Sequence, residues 1–196
     1  MNHSDNATKS AIVVSHTHWD RAWYLSFNEF RLRLVRMIDR ILNMLDKDPD
    51  FTCFVLDGQV VLIEDYLEIR PAKKDKLKEF ISTGRLIIGP WYVLPDLFLV
   101  SSESIIRNLQ IGMSISKDWD SGLDVGYVPD PFGHPAQLPQ ILQGFSIDNF
   151  LFMRGMPDSL NRLGTLHFNW TSPNGSKVRA YYIKEGYFNA AALGYG

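Results

Sequence analysis

Short apolar runs alternate with amphipathic segments along most of this chain, and no other feature constrains the fold as strongly. This alternation is typical of β/α units, in which helices connect the parallel strands of one sheet. The turn sequence Pro173-Asn174-Gly175 adds an antiparallel hairpin after the last unit. The predicted parallel strands are 11–15, 52–56, 85–88, 125–128 and 150–153, and the hairpin strands are 167–171 and 177–183.

Helix start and stop signals separate these strands. Ser26 and Glu29 have the spacing of a capping box, and apolar residues then recur at helical intervals as far as Leu45. Pro71 and Ser102 are residues that favour helix starts, and Gly84 is one that favours a helix end. The further predicted helices are 60–69, 71–83, 102–119 and 137–145.

The fold class that follows is α/β, and the architecture we predict is an incomplete (β/α) barrel. Five β/α units do not close a barrel, since about eight units are usual in that architecture. We therefore expect residues 11–196 to form the N-terminal portion of a larger catalytic domain, preceded by a flexible arm at residues 1–10.

Composition excludes several classes of protein. The chain has 196 residues and a formal net charge of −2, which gives no reason to expect nucleic acid or an anionic membrane surface as a partner. Cys53 is the only cysteine, so an intrachain disulfide is excluded. Residues 1–10 lack the apolar stretch of a signal peptide, and no segment has the roughly 20 apolar residues of a membrane span. We expect a cytoplasmic protein, for which a homo-oligomer is possible.

The pentad His16-Thr17-His18-Trp19-Asp20 directly follows the first predicted strand. Strand ends are where α/β folds assemble metal and catalytic sites. Alternation places His16, His18 and Asp20 on one side, and both residue types are good zinc ligands. A metal site and a set of histidines bonded to the backbone, with Asp20 capping the next turn, both fit this pattern.

Asp57, Asp130 and Arg154 follow three further strands and should meet the pentad at one face. Pro129 and Pro131 flank Asp130 and hold its backbone extended, which suits a nucleophile or a metal ligand. A solvated turn residue is the alternative for Asp130. Arg154 could pair with a site carboxylate or bind a substrate hydroxyl, or form a salt bridge that only stabilises the loop.

An aromatic group is predicted at the same end of the sheet. Flat apolar faces beside carboxylates are what sugar rings need, although each aromatic residue taken alone is more often part of a core. The members of this group are Trp19, Trp23, Tyr24, Trp91 and Tyr92.

Two motifs together, residues 16–24 (HTHWDRAWY) and residues 130–134 (DPFGH), resemble glycoside hydrolase family 38, the zinc-dependent α-mannosidases. Residues 55–59, 88–92 and 102–105 resemble the bacterial branch of the family that includes mannosylglycerate hydrolases. The likeness extends from about Ile12 to Tyr187.

The resemblance implies a retaining α-mannosidase with a seven-stranded β/α barrel and Zn²⁺ as cofactor. It implies that His18, Asp20 and Asp130 are zinc ligands and that Asp130 is also the nucleophile. Trp23 and Arg154 match residues beside the sugar and the nucleophile, and we add Trp91 and Asp57 as candidate substrate-binding residues. The family's fourth zinc ligand and its acid/base lie well downstream of the nucleophile, beyond residue 196. The substrate would be an α-mannoside, either mannosylglycerate or a manno-oligosaccharide.

Two other functions stay open at this point. In an amidohydrolase-type zinc hydrolase, His16 and His18 would both bind a metal that activates water. A non-catalytic carbohydrate-binding fragment is the second alternative.

Overall fold

The computed structural model describes residues 11–162 and 164–191. Helices and strands alternate through most of this part of the chain, as the sequence pattern predicts. The helices are α1 (Phe27–Lys47), α2 (Val61–Leu67), α3 (Lys74–Ser82), α4 (Ser102–Asp118), α5 (Leu138–Gly144) and α6 (Asp158–Arg162), with a 3₁₀ turn at Pro71–Lys73. The strands are β1 (Phe54–Val55), β2 (Leu86–Ile87), β3 (Val125–Val128), β4 (Asn149–Phe152), β5 (His167–Thr171) and β6 (Lys177–Tyr182).

The strands form two sheets. Strands β1 and β2 pair in parallel, and β3, β4, β6 and β5 form a second sheet in that order. The β3–β4 and β4–β6 pairs are parallel, whereas β5 and β6 form the predicted antiparallel hairpin. A single parallel bridge between Gln59 and Trp91 continues the first sheet beyond β2. The α/β class is therefore confirmed, but a closed barrel is not present among the described residues.

The segment 11–15 differs from the prediction, because it is not a regular strand. It runs beside β1 and pairs with it only at its end, through the His16–Val55 bridge and a 2.9 Å hydrogen bond from Val55 N to Ser15 O. Its apolar side chains stay exposed, Ile12 at 93%. An apolar strand of a β/α fold is normally covered on both faces. The described residues leave the apolar side chains of segment 11–15 largely exposed.

A cleft of about 880 Å³ opens beside this segment. It reaches from Ile12 to Val125 and Leu151 of the second sheet, and His18 and Tyr187 are also in its lining. The lining is mainly apolar.

Helix α1 starts where the sequence predicts. The Glu29 carboxylate accepts hydrogen bonds from Ser26 N at 3.0 Å and Ser26 Oγ at 2.7 Å. At helix α4, however, the cap is Ser101 and not Ser102, since the Ser101 hydroxyl accepts a hydrogen bond from Ser104 N. Both serines precede the apolar face, so the residue type alone does not separate them.

The flexible arm predicted for residues 1–10 lies outside the described residues. None of the helices within 11–162 and 164–191 combines the length and apolar character needed to cross a membrane.

Candidate active site

Asp57 fixes the orientation of His18. It follows β1 in a tight turn, with φ of 52°, and its side chain is fully buried. One carboxylate oxygen accepts hydrogen bonds from Trp19 N at 2.6 Å and Gln59 Nε2 at 2.8 Å. The other lies 3.3 Å from His18 Nδ1. A carboxylate can only accept here, so Nδ1 carries the proton and Nε2 presents its lone pair.

The lone pair on His18 Nε2 is available to a metal. This nitrogen is buried and has no hydrogen-bond partner among the described residues. Asp20 Oδ1 lies 3.7 Å from it. Metal-binding histidines usually donate their other ring nitrogen to a carboxylate, as His18 does to Asp57. His18 and Asp20 therefore fit two adjacent positions of a zinc site.

Negative charge also acts on His18. Burial lowers the pKa of its imidazole, but the hydrogen bond and charge of Asp57, together with the charges of Asp20 and Asp130, outweigh this effect and raise the pKa above its usual value. The charges of three carboxylates therefore act on this histidine, and such an environment favours positive charge.

Asp130 lies just after β3 and is held by two donors on one oxygen. Arg154 Nε donates to Asp130 Oδ1 at 2.7 Å, and the Tyr187 hydroxyl donates to the same atom at 3.2 Å. The described residues give Oδ2 no hydrogen-bond partner. The Arg154 guanidinium also lies 5.1 Å above the ring of Phe132. A carboxylate with one oxygen fixed and the other available has the geometry of a nucleophile or metal ligand.

Tyr187 connects the two parts of the site. Its ring centroid is 4.9 Å from that of His18, while its hydroxyl contacts Asp130. Burial and the negative charge of Asp130 raise the pKa of Tyr187 to about 12, so its hydroxyl stays protonated and donates. No sequence pattern pointed to Tyr187, because it follows β6 in a region without a recognisable motif.

The three predicted zinc ligands are not assembled as one ligand set. No group of three or more His, Cys, Asp or Glu side chains within 11–162 and 164–191 is arranged to hold a metal ion. Arg154 and Tyr187 both donate to one oxygen of Asp130. The donor chemistry fits zinc, whereas the full coordination geometry is not formed.

The four predicted substrate-binding residues differ in their accessibility. Trp23 is 76% exposed and can meet a ligand, and the half-exposed Arg154 side chain reaches the site through Asp130. Trp91 is fully buried, with Nε1 donating to Tyr127 O at 3.0 Å. Asp57 is buried as well. Trp91 and Asp57 therefore have no surface for a sugar, which corrects the prediction. Asp57 lies two residues after β1 and Trp91 four residues after β2, and both side chains are buried in the interior.

Comparison with known proteins shows which family the chain belongs to. The family model "Glycosyl hydrolases family 38 N-terminal domain" matches residues 9–194. The chain is 37% identical to a "Putative mannosylglycerate hydrolase" of Halalkalibacterium halodurans over 92% of its own length and 21% of the relative. It is 27% identical to alpha-mannosidase G of Dictyostelium discoideum over 97% of its own length and 18% of that protein.

A solved structure shows the same fold. The crystal structure of an alpha-mannosidase from Enterococcus faecalis V583 superposes with a TM-score of 0.86 at 39% identity, covering 90% of this chain and 20% of that protein. The chain thus spans about a fifth of the length of the relatives it matches. The resemblance inferred from the two motifs is confirmed: the chain belongs to glycosyl hydrolase family 38, within its N-terminal domain.

Proposed function

We propose that this chain carries the nucleophile of a zinc-dependent, retaining α-mannosidase and that Asp130 is the nucleophile. The observation that carries the proposal is the asymmetric environment of Asp130, with two donors on Oδ1 and none of the described residues on Oδ2. The family relationship indicates the reaction class, since relatives named as alpha-mannosidases match most of the chain.

In the proposed reaction, Asp130 Oδ2 attacks the anomeric carbon of the mannoside as the bond to the leaving oxygen breaks. The leaving oxygen takes a proton from a second carboxyl group, which is protonated at this stage, and an ester between the sugar and Asp130 forms. Water then cleaves this ester with retention of configuration. Arg154 and Tyr187 hold Asp130 in one orientation during the attack, because both donate to its other oxygen.

We propose that His18 Nε2, Asp20 and Asp130 hold the zinc ion. When bound, zinc would orient sugar hydroxyls and stabilise charge at the reacting centre. Asp57 acts behind these residues by fixing the tautomer and the ring plane of His18. The exposed indole of Trp23 supplies an apolar face for the sugar ring.

The geometry favours this function over an amidohydrolase. In the described part of the chain, carboxylates lie beside both ring nitrogens of His18. His16 instead pairs with Val55 through its backbone, and its Nδ1 lies 3.2 Å from the carbonyl of Thr17. A site in which both histidines bind the metal therefore has no support from the arrangement. A cytoplasmic location and a homo-oligomeric state stay predictions from the sequence.

The test uses Asp130→Asn in the full-length protein, with Asp124→Asn as the matched control. Asp124 precedes the other end of β3 and is exposed. We expect Asp130→Asn to reduce α-mannosidase activity by several orders of magnitude at an unchanged unfolding midpoint, while Asp124→Asn retains activity.

A trapping experiment checks the same assignment independently. A fluorinated mannosyl fluoride that slows hydrolysis of the ester should add one glycosyl mass to the peptide containing Asp130. Label on another carboxylate, or full activity of Asp130→Asn, would overturn the proposal. Mannoside binding without turnover in the unmodified protein would instead support the carbohydrate-binding alternative.

A further inference from the structure

His134 ends the DPFGH motif and has no role in the mechanism above. Its Nε2 lies 2.8 Å from the backbone carbonyl of Arg154. A carbonyl can only accept a hydrogen bond, so Nε2 carries the proton and donates. His134 thus contacts the residue whose side chain binds the nucleophile, although it does not contact Asp130.

Aromatic packing fixes the ring of His134 in this orientation. Its centroid lies 5.2 Å from that of Phe150, 5.1 Å from Phe152 and 6.1 Å from Trp170, all in edge-to-face arrangements. The other ring nitrogen, Nδ1, is buried without a partner among the described residues. Burial lowers the pKa of His134 below its usual value, which is consistent with a neutral ring that donates only from Nε2. A buried acceptor without a partner has an energetic cost, and pure packing would not require a histidine here.

The backbone beside Arg154 is fitted closely to this ring. Gly155 has φ of 81°, a conformation that favours glycine. A Cβ atom at this position would lie 3.1 Å from His134 Cδ2 and Nε2 and 3.0 Å from Gly133 Cα. Because Gly155 has no side chain, the backbone can pass close to the imidazole, and the Arg154 carbonyl therefore lies within hydrogen-bond distance of His134.

We propose that His134 is a positioning residue that holds the backbone of Arg154 and thereby places its guanidinium on Asp130 Oδ1. The inference rests on the proposed function, in which Asp130 is the nucleophile. The motif would then act as one unit: Asp130 attacks, Phe132 lies beneath the Arg154 guanidinium, and His134 fixes the backbone from which that guanidinium extends.

The structural test compares His134→Gln with His134→Phe. The Gln amide can still donate to the Arg154 carbonyl, whereas Phe fits the aromatic surroundings but has no donor. NMR of the Arg154 Nε–H group, assigned by its loss in Arg154→Lys, reports on the bond to Asp130. We expect His134→Phe to speed exchange of this proton and move its signal upfield. In His134→Gln we expect the exchange rate and the signal position of the unmodified protein.

An unchanged Arg154 signal in a folded His134→Phe protein would overturn the proposal. His134→Leu lacks the donor as well and replaces the Phe variant if that variant does not fold.

The kinetic test uses the full-length protein. Misplacing a group at a reacting centre by about 1 Å can cost roughly 100-fold, so we expect His134→Phe to lower kcat by about 10- to 100-fold, with a small change in KM. His134→Gln should recover most of this loss. In an Arg154→Lys background His134→Phe should add little, because residues that act as a unit are not additive. Full additivity of the two losses would contradict the proposal.

The two proposals can fail separately. If Asp130→Asn retains activity, the proposed function is wrong, yet the NMR comparison still decides whether His134 places Arg154. If Asp130→Asn is inactive and the Arg154 signal is unaffected by His134→Phe, only the positioning role of His134 is wrong.

Discussion

At the scale of single residues, the site depends on where each donor binds the Asp130 carboxylate. Arg154 and Tyr187 donate to the same oxygen, the charged guanidinium at 2.7 Å and the hydroxyl at 3.2 Å. Interaction with Asp130 also raises the pKa of Arg154 above its already high value. Both donors therefore orient the Asp130 carboxylate without occupying Oδ2.

The Tyr187 hydroxyl is the second donor and can be removed with little change in shape. A hydrogen bond to a charged group contributes about 1.5–3 kcal/mol, which corresponds to roughly 10- to 100-fold in rate if it is lost in the transition state. We expect Tyr187→Phe to lower kcat/KM of the full-length protein by this factor. Tyr181→Phe, on β6, is the control. Equal effects of the two substitutions would show that the bond to Asp130 contributes nothing specific.

At the scale of elements, local signals in the sequence were sufficient wherever local contacts determine the structure. Helix α1 depends on a capping box four residues long, and the β5–β6 hairpin depends on its Pro-Asn-Gly turn. The segment 11–15 has the apolar composition of a strand, but among the described residues it pairs only at its end, with β1. Pairing partners are distant in sequence, so composition could not show how much of that strand forms.

Some residues of the candidate site could likewise be proposed from local sequence, and others depend on the fold. His18, Asp20, Asp130 and Arg154 could be proposed from the sequence because they follow apolar runs in recognisable motifs. The supporting role of Asp57 and the buried state of Trp91 depend on how the turns after β1 and β2 point inward. Tyr187 reaches Asp130 across 57 positions of sequence, which only the folded sheet brings together.

Helix α4 is positioned by a close contact that the sequence does not reveal. A Cβ atom on Gly112 would lie 2.3 Å from Pro90 O and from Tyr92 N, so the helix packs directly on the backbone beside Trp91. Overpacking typically costs about 1–3 kcal/mol, whereas alanine in place of glycine gains roughly 1 kcal/mol in a helix. Because backbone atoms leave no room for the added Cβ, we expect the cost to exceed the gain, so that Gly112→Ala lowers the free energy of unfolding.

Gly144 in α5 provides the matched comparison for Gly112. A Cβ atom there would meet no atom within 4 Å, so Gly144→Ala should leave stability unchanged or raise it slightly. Denaturant unfolding of both variants measures the difference. Equal stabilities would show that α4 can shift away from residues 90–92 at no cost.

At the scale of the whole molecule, the candidate site lies where two hydrophobic cores meet. Leu34, Leu56 and Leu86 belong to the core around α1, α2 and α3, whereas Trp91, Val128 and Phe150 belong to the core beneath the second sheet. His18 and Asp57 lie beside the first core, and Asp130 and Arg154 beside the second. The function we propose therefore requires both parts of the molecule to hold their relative positions.

Zinc removal tests this requirement directly. A ligand that binds only the folded state stabilises it by RT ln(1 + [L]/Kd), about 2.7 kcal/mol at a concentration 100 times Kd. A zinc ion held by His18 and Asp20 from one part and Asp130 from the other should therefore raise the unfolding midpoint of the full-length protein, and a chelator should lower it.

We expect His18→Ala to reduce the zinc content and abolish this chelator-dependent shift, because it removes the buried nitrogen that has no partner among the described residues and lies near Asp20. His16→Ala is the control and should keep both, since its described contacts are with the backbone. Loss of zinc in His16→Ala but not in His18→Ala would contradict the ligand assignment, whereas an equal loss in both would favour a site in which both histidines bind the metal.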